Sequence, residues 1–338
     1  MSIWMSLIVV AALSLALTGG MRRYALVRSI VDLPNNRSSH SIPTPRGGGI
    51  AIVFSFLLAL PIFGIWGIVD WPLIFAVLGA GSVTAVLGYL DDRGHIAVRW
   101  RLLGHFVGAL WALLVFKGMP PINLFGVLID FGWVGHLLAV FYLVWMLNLY
   151  NFMDGIDGIA SFEAVTICLA VCFIYWLTGY QDLVWPPLLL AMSVTGFLYW
   201  NYPPARIFMG DTGSGFLGIL FGVFSLQAVW RNPELLWVWL ILLGVFVVDS
   251  TFTLMRRFIQ GAKLDEGHRT HSYQIAARRC GKHSTVVFSV VLINVFWLFP
   301  IALSVMIFGF DGFACVLVAY IPLLLIALYF GAGKIEGG

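Results

Sequence analysis

Five carboxylates stand in three short polar stretches of an otherwise apolar chain. Closely spaced carboxylates can hold a hard divalent cation, or divide metal binding and proton acceptance between them. Each stretch also has an ordinary explanation, as a solvated helix end or an acid at a helix start. The three stretches are "GYLDD" with Asp91 and Asp92, "NLYNFMDGIDG" with Asp154 and Asp157, and "FMGDTGSG" with Asp211.

Basic and amide side chains lie in the same or neighbouring stretches. His268 and His271 flank Arg269 in the most polar part of the chain. A zinc pair lacks a cysteine or third histidine nearby, so an anion site fits the surrounding positive charge better; a basic loop binding acidic lipid is the ordinary alternative. A glycine-rich turn that can present N–H groups to phosphate follows the first loop. The remaining candidates are His40, Thr44, Arg46, Arg101, Asn148 and Asn151.

The elements that position these residues are predicted to be membrane-spanning helices. Of 338 residues, 61% are hydrophobic and 10% are charged, against about 25% charged in soluble domains. A span needs about 20 mostly apolar residues. The chain is therefore predicted to be an all-α polytopic protein, a single domain over 1–338. Its eleven candidate spans are 3–20, 47–67, 72–90, 102–117, 133–150, 157–178, 184–200, 213–230, 234–258, 285–308 and 312–332.

The distribution of basic residues orients these spans. With the N-terminus outside, the predicted inside segments hold 17 of the 19 Lys and Arg residues, and only Lys117 and Arg231 fall outside. Such a bias marks the cytoplasmic side, which then also contains the C-terminus. The candidate residues lie in the inside loops, which are 21–46, 91–101, 148–157, 201–212 and 259–284. The sequence thus predicts a metal-dependent phosphate-handling site on the cytoplasmic face, with one lipid substrate.

The motifs "PTPRGGG", "GYLDD", "NLYNFMDGIDG" and "FMGDTGSGFLG", in this order, resemble the polyprenyl-phosphate N-acetylhexosamine-1-phosphate transferases of the WecA and MraY type, in glycosyltransferase family 4. The resemblance implies transfer of a sugar 1-phosphate from a UDP-N-acetyl sugar to undecaprenyl phosphate, with release of UMP and with Mg²⁺ or Mn²⁺. It implies a bacterial inner-membrane enzyme with its active site on the cytoplasmic face.

The resemblance also implies roles for individual residues. Asp211 would be the principal metal ligand, helped by Asp92, and Asp91 and Asp92 would activate the lipid phosphate. Asp154 and Asp157 would shape the metal–pyrophosphate site. His268 and His271 would belong to the catalytic set. Substrate contacts would come from His40, Thr44, Arg46, Arg101, Asn148, Asn151, Asn201 and Arg269.

The histidine motif departs from the family's commoner patterns. This chain has "HRTH", whereas MraY-type enzymes carry three histidines at this place and WecA-type enzymes carry an HxHH pattern. The longer stretch "HRTHSYQ" resembles the WbpL-like branch, which initiates O-antigen or capsule chains. A muramoyl-pentapeptide substrate is therefore the weaker alternative within the family. The sugar stays open, as does the choice between monomer and homodimer, and no nucleic-acid partner is expected.

Two alternatives come from outside the family. An ion-coupled transporter would use Glu163 and Asp249, because acids inside apolar helices are commonly functional. Against it, most acids lie at one membrane face, and no pair of broken helices or internal repeat is evident. A structural membrane scaffold would leave the cytoplasmic acids unexplained.

Overall fold

The computed structural model describes residues 3–34, 42–94, 96–262 and 268–334, and helices dominate them. Two small antiparallel hairpins pair β1 (Val31–Asp32) with β2 (Thr44–Pro45), and β3 (Ile122–Leu124) with β4 (Val127–Ile129). The helices are α1 (Ile3–Val27), α2 (Gly49–Ile65), α3 (Trp71–Arg93), α4 (Val98–Val115), α5 (Gly132–Met153), α6 (Ile159–Leu177), α7 (Trp185–Asn201), α8 (Asp211–Val229), α9 (Leu235–Leu242), α10 (Gly244–Ile259), α11 (Ser272–Cys280), α12 (His283–Ile293), α13 (Phe299–Phe308) and α14 (Gly312–Phe330).

These helices confirm the predicted all-α membrane architecture. Within the described ranges, nine helical segments are long and apolar enough to cross a bilayer, and the bent pair α9–α10 makes a tenth. A π-helical turn (Asn294–Leu298) joins α12 to α13, and a 3-10 turn (Gln181–Leu183) precedes α7. The 17-residue α2 is also apolar, though shorter than the others. Each of the eleven predicted segments is therefore largely helical.

The structure differs from the predicted boundaries in three places. The segment 234–258 is bent by 72° between α9 and α10, which hydropathy cannot report because both halves are apolar. The predicted loop 148–157 is helical up to Met153. The predicted loop 259–284 contains α11, whose polar sequence gives no membrane signal; His271 and Gln274 form a reciprocal capping box at its start, and Gly281 ends it in the left-handed region.

The buried helix α8 forms the centre of the bundle and carries the site at its first turn. It is 94% buried within its apolar window, and it packs closely against α3 and α5. Small residues make these approaches close: a Cβ on Gly218 would lie 2.6 Å from the carbonyl oxygen of Met146, and one on Gly88 would lie 2.5 Å from the backbone nitrogen of Thr212. The end of α3 is thereby held against the start of α8.

Candidate active site

Five charged side chains from four parts of the chain meet where α3 ends and α8 begins. Arg46, which precedes α2, places its Nε 2.9 Å from Asp92 Oδ1 and one terminal nitrogen 2.8 Å from Asp211 Oδ1. Arg101, in the first turn of α4, lies 2.6 Å from Asp91 Oδ2 and 3.6 Å from Asp211 Oδ2. We call Arg46, Asp91, Asp92, Arg101 and Asp211 the charged cluster. The tertiary structure thus assembles residues that are up to 165 positions apart in the chain.

Asp92 has a structural position within the charged cluster. Its carboxylate accepts hydrogen bonds from the backbone N–H of Asp211 (2.9 Å) and of Thr212 (3.1 Å), and from the Thr212 hydroxyl (2.7 Å). A carboxylate at a helix N-terminus satisfies unpaired amides and complements the helix dipole. Both oxygens of Asp92 are therefore engaged in holding α8, and its role as a metal ligand stays a prediction.

Gly210 completes this arrangement at the start of α8. It has φ +76°, and a Cβ at this position would lie 2.6 Å from Asp92 Oδ2. A side chain here would be strained by the backbone conformation and would push the carboxylate away. The "GD" of the motif is thus explained by the turn that brings Asp92 beneath Asp211.

Asp91 and Asp211 are the carboxylates of the cluster that remain for chemistry. They lie within hydrogen-bonding reach of each other, and Asp91 also accepts from the backbone N–H of Ile96 at 3.0 Å. Two carboxylates in contact repel unless a proton or a cation lies between them. The arrangement can therefore hold a shared proton or a hard cation, with Arg46 and Arg101 balancing the remaining charge.

Asp154 lies beside the charged cluster, whereas Asp157 lies in another cavity. Burial and the charge of Asp211 raise the pKa of Asp154 well above its usual value, against the opposing effect of Arg46. Asp157 Oδ2 instead accepts from the backbone N–H of Ala205 at 3.1 Å and lies 3.2 Å from His283 Nδ1. Although Asp154 and Asp157 are three positions apart, they do not share a helix face, because the chain leaves the helix after Met153.

The two asparagines at the end of α5 lie on the side of the cluster that faces α4. Asn151 donates from Nδ2 to the Ser214 hydroxyl at 2.9 Å. Asn148 donates to the carbonyl of Val144, one turn earlier, at 2.7 Å. Both line an apolar groove of about 750 Å³ between α4, α5 and α10. We call this cavity the α4–α5 groove.

The histidine pair lies at the polar end of the α4–α5 groove. His268 and His271 stack with ring centroids 5.0 Å apart, and both line the groove. Desolvation, the neighbouring His271 and the charge of Arg257 lower the pKa of His268 to about 3. Arg269 lies between them, half-buried, and its carbonyl accepts from Arg278 at 2.8 Å. His268 is therefore a neutral ring in this structure.

Asp249 holds the histidine pair in place. Its carboxylate accepts from the first two backbone N–H groups of α11, those of Ser272 (2.9 Å) and Tyr273 (3.1 Å). It also lies 3.4 Å from His271 Nδ1. Asp249, on which the transporter alternative partly rested, thus anchors α11. The sequence motifs did not indicate this role. Because α11 is polar and gives no hydropathy signal, only its capping pattern could have indicated this helix from the sequence.

The other predicted contact residues have varied positions. Asn201 is buried, its Nδ2 donates to the carbonyl of Ile207 (3.1 Å) and its Oδ1 accepts from Ser161 (2.9 Å), so it supports the loop before α8 from beneath. Thr44 donates to the carbonyl of Ile42 (2.9 Å) and lines a polar cavity with Asp157. His40 lies outside the described residues.

The polar cavity beside Asp157 has a volume of about 380 Å³. Phe208 and the cis-proline turn of Pro203–Pro204 line one side of it. Lys282, His283 and Thr44 line the other. We call this the Asp157 cavity. Sequence reasoning did not single out these residues. Phe208 begins the "FMGDTGSG" stretch but has no group for metal or proton chemistry, and Lys282 and His283 lie outside the quoted motifs.

Comparison with known proteins places this site in a family. Residues 74–229 match glycosyl transferase family 4. The chain is 31% identical, over 76% of its own length and 72% of the relative, to a probable undecaprenyl-phosphate N-acetylglucosaminyl 1-phosphate transferase of Bacillus subtilis. The chain belongs to this family. It is a phosphotransferase that acts on a polyprenyl phosphate, as the motifs predicted.

Two further relatives show the range of substrates among similar proteins. The transferase is 30% identical to a phospho-N-acetylmuramoyl-pentapeptide-transferase of Bacillus licheniformis, over 70% of the chain and 75% of the relative. It is 32% identical to a decaprenyl-phosphate N-acetylglucosaminephosphotransferase of Mycolicibacterium smegmatis, over 62% and 56%.

The acids inside the transferase's helices do not require a transport function. Asp249 caps α11, and Glu163 accepts from Asn294 Nδ2 at 2.6 Å inside the bundle. Both acids therefore have partners within the fold, and the transporter alternative loses the observation on which it rested.

Proposed function

We propose that the transferase moves an N-acetylhexosamine 1-phosphate from a UDP-sugar to undecaprenyl phosphate and releases UMP. The observation that carries this proposal is the pair of contacting carboxylates, Asp91 and Asp211, held between Arg46 and Arg101. Arg101, which contacts this pair, also lines the apolar groove, and Asp157, whose charge acts on Asp154, lines the polar cavity. We infer that such an arrangement suits a reaction between one lipid phosphate and one water-soluble diphosphate.

The α4–α5 groove suits the polyprenyl chain. Its apolar walls include Leu102, Phe106 and Phe141, and its polar end has Arg101 and the histidine pair. Moving an apolar chain from the bilayer into the groove is favourable only if the groove packs against it. The charged phosphate, by contrast, is stabilised by pairing with a guanidinium. The groove thus directs a lipid phosphate towards Arg101 and Asp91.

The Asp157 cavity suits the uridine part of the donor. Phe208 offers a half-buried aromatic face on which a base can stack. Asp157 can accept a hydrogen bond, and Lys282 can approach a phosphate. The donor's diphosphate would then extend past Asp154 towards Asp211.

The residues of the charged cluster fit a hard divalent cation. Within the described part of the chain, no three His, Cys, Asp or Glu side chains form a ready-made metal site. Mg²⁺, however, usually takes one or two carboxylates together with substrate phosphates, and Asp211 with Asp91 offers such a pair. We propose Mg²⁺ or Mn²⁺ here; when bound, it would neutralise charge on the diphosphate.

The protein's own groups carry the rest of the chemistry by position and charge. An oxygen of the lipid phosphate attacks the sugar-bearing phosphorus, a new P–O bond forms, and the bond to the UMP phosphate breaks. Arg101 orients the attacking phosphate, and Asp91 takes its remaining proton if one is present. Arg46 holds Asp211 in place. Positioning and electrostatics supply most of the acceleration in phosphoryl transfer.

The "HRTH" motif supports a role in starting a cell-surface polysaccharide, such as an O-antigen, at the cytoplasmic face of a bacterial inner membrane. The basic side chains Arg46 and Arg101, together with Arg256 and Arg257 at the end of α10, all lie on the membrane side that carries the charged cluster. The donor would then be a cytoplasmic UDP-N-acetyl sugar.

The test is an assay of purified protein with undecaprenyl phosphate, Mg²⁺ and a panel of UDP-N-acetyl sugars, with mass analysis of the lipid product. We expect one lipid-linked N-acetylhexosamine and an equal amount of UMP. Asp211→Asn should abolish turnover, and chelation should do the same. The matched control is Asp182→Asn, which removes an acid paired with Arg231 on the opposite face. Near-normal activity of Asp211→Asn, or a product only with UDP-muramoyl-pentapeptide, would refute the proposal.

A further inference from the structure

A second apolar groove runs between α1, α2 and α3, apart from the α4–α5 groove. Its volume is about 700 Å³, within the range of about 300–1,000 Å³ for ligand pockets. Its walls include Met21, Val53, Phe54 and Val86, and Phe54 and Val86 are more than half exposed. We call it the α1–α3 groove. It opens sideways, where the membrane would lie.

A pair of arginines marks the cytoplasmic end of the α1–α3 groove. Arg93 donates to the Tyr24 hydroxyl at 3.2 Å and lies over the rings of Tyr24 (5.5 Å) and Tyr89 (4.8 Å). Tyr24, Arg93 and Arg28 also line an adjoining polar cavity of about 660 Å³. The groove therefore has an apolar length and a cationic end, which is the pattern that an anionic amphiphile requires.

The length of the groove indicates what kind of chain it takes. Its lining on α2 extends from Ile50 to Leu58, a separation of eight positions, or about 12 Å at about 1.5 Å of rise per residue. That is close to the half-thickness of about 15 Å of a bilayer core about 30 Å thick. An acyl chain of one leaflet matches this depth, whereas an undecaprenyl chain is several times longer.

The acids of the polar cavity determine where the anion stops. Asp32 and Asp92 line its inner part, and Arg46 there is already paired with Asp92 and Asp211. A phosphate would be repelled from that part and retained at the outer edge, beside Arg28 and Arg93. Both of these side chains are exposed.

We propose that the α1–α3 groove is a binding site for one anionic phospholipid. One acyl chain lies along α2 and α3, and the lipid phosphate pairs with Arg28 and Arg93. The site is separate from the groove assigned to the polyprenyl substrate, and it does not depend on the proposed reaction.

The test uses the purified full chain and native mass spectrometry, with phosphatidylglycerol and phosphatidylcholine titrated separately from mixed micelles. We expect one tightly retained phosphatidylglycerol. Arg28→Gln combined with Arg93→Gln should weaken its binding about 30-fold, since each arginine contributes about 1 kcal/mol and 1.4 kcal/mol is tenfold. The matched control removes two other exposed arginines that lie over aromatic rings, by Arg99→Gln with Arg279→Gln; this variant should bind within threefold of the parent.

A second variant tests the apolar part on its own. Val86→Trp fills the groove from a lipid-facing position and leaves both arginines unchanged, so it should also weaken retention of phosphatidylglycerol. Unchanged binding in Arg28→Gln/Arg93→Gln, or in Val86→Trp, would overturn the proposal. Displacement of the lipid by equimolar undecaprenyl phosphate would assign the groove to a polyprenyl chain instead. Full displacement by inorganic phosphate would show a phosphate site without a lipid.

Discussion

The anchoring of α11 by Asp249 makes a sharp prediction about the histidine pair. In Asp249→Asn the side chain keeps its shape but loses its charge and one acceptor oxygen. One amide oxygen can still accept from Ser272 or from Tyr273, while the amide NH₂ faces the other N–H group. The start of α11 thus loses one of its two hydrogen bonds, the other becomes a neutral bond, and one buried donor is left without a partner.

The size of the effect follows from these contacts. A hydrogen bond to a charged group contributes about 1.5–3 kcal/mol, and an unsatisfied buried donor costs about 1–3 kcal/mol. The two ranges describe largely the same lost hydrogen bond and are not added, so we expect the docking of α11 to weaken by about 3 kcal/mol. At 1.4 kcal/mol per factor of ten, the open state of residues 271–280 becomes about 100-fold more populated.

Hydrogen exchange read by mass spectrometry measures this opening directly. Peptides that cover α11 should exchange about 100-fold faster in Asp249→Asn, whereas peptides from α8 should be unchanged. Turnover should fall too, because His268 and His271 lose their fixed place at the α4–α5 groove. Asp182→Asn serves as the control: its exposed pair with Arg231 should contribute no more than about 1 kcal/mol. Wild-type exchange of α11 in Asp249→Asn would refute the anchoring role.

Three further predictions concern the same face. Gly88→Ala should abolish activity, because the added Cβ would lie 2.5 Å from the backbone nitrogen of Thr212. Gly94→Ala should leave activity unchanged in the same turnover assay, because a Cβ there would have no atom within 4 Å. Thr212→Val should lower the free energy of unfolding by about 1.5–3 kcal/mol, because the 2.7 Å bond to the Asp92 carboxylate is lost; unchanged denaturation midpoints would contradict this. The pKa of His268 is lowered to about 3, so the unfolded chain binds a proton on this ring more readily than the folded chain does. The free energy of unfolding should therefore fall as pH drops from about 6.5 towards 3. In thermal melts, His268→Gln should show a smaller fall in melting temperature over this range.

The sequence determined the membrane architecture and the residue types of the site. Helices in a bilayer must satisfy their own backbone groups, so long apolar segments and the bias of basic residues were enough to predict the spans. The motifs also pointed to Asp91, Asp211, Arg46 and Arg101, which the structure brings together in one charged cluster. Hydropathy could not report the bend between α9 and α10, or the polar helix α11.

Only the tertiary structure separated residues that the sequence treats alike. Asp91 and Asp92 are neighbours, yet successive side chains on a helix point in different directions, so Asp92 lies under the first turn of α8 while Asp91 faces Arg101. Asp154 and Asp157 are three apart, but the chain leaves the helix at Asp154 and turns through Gly158 at φ +77°. Asp154 therefore lies beside the charged cluster, whereas Asp157 lines a different cavity. Spacing along the chain describes which groups are available, but the packing of helices against one another decides which of them meet.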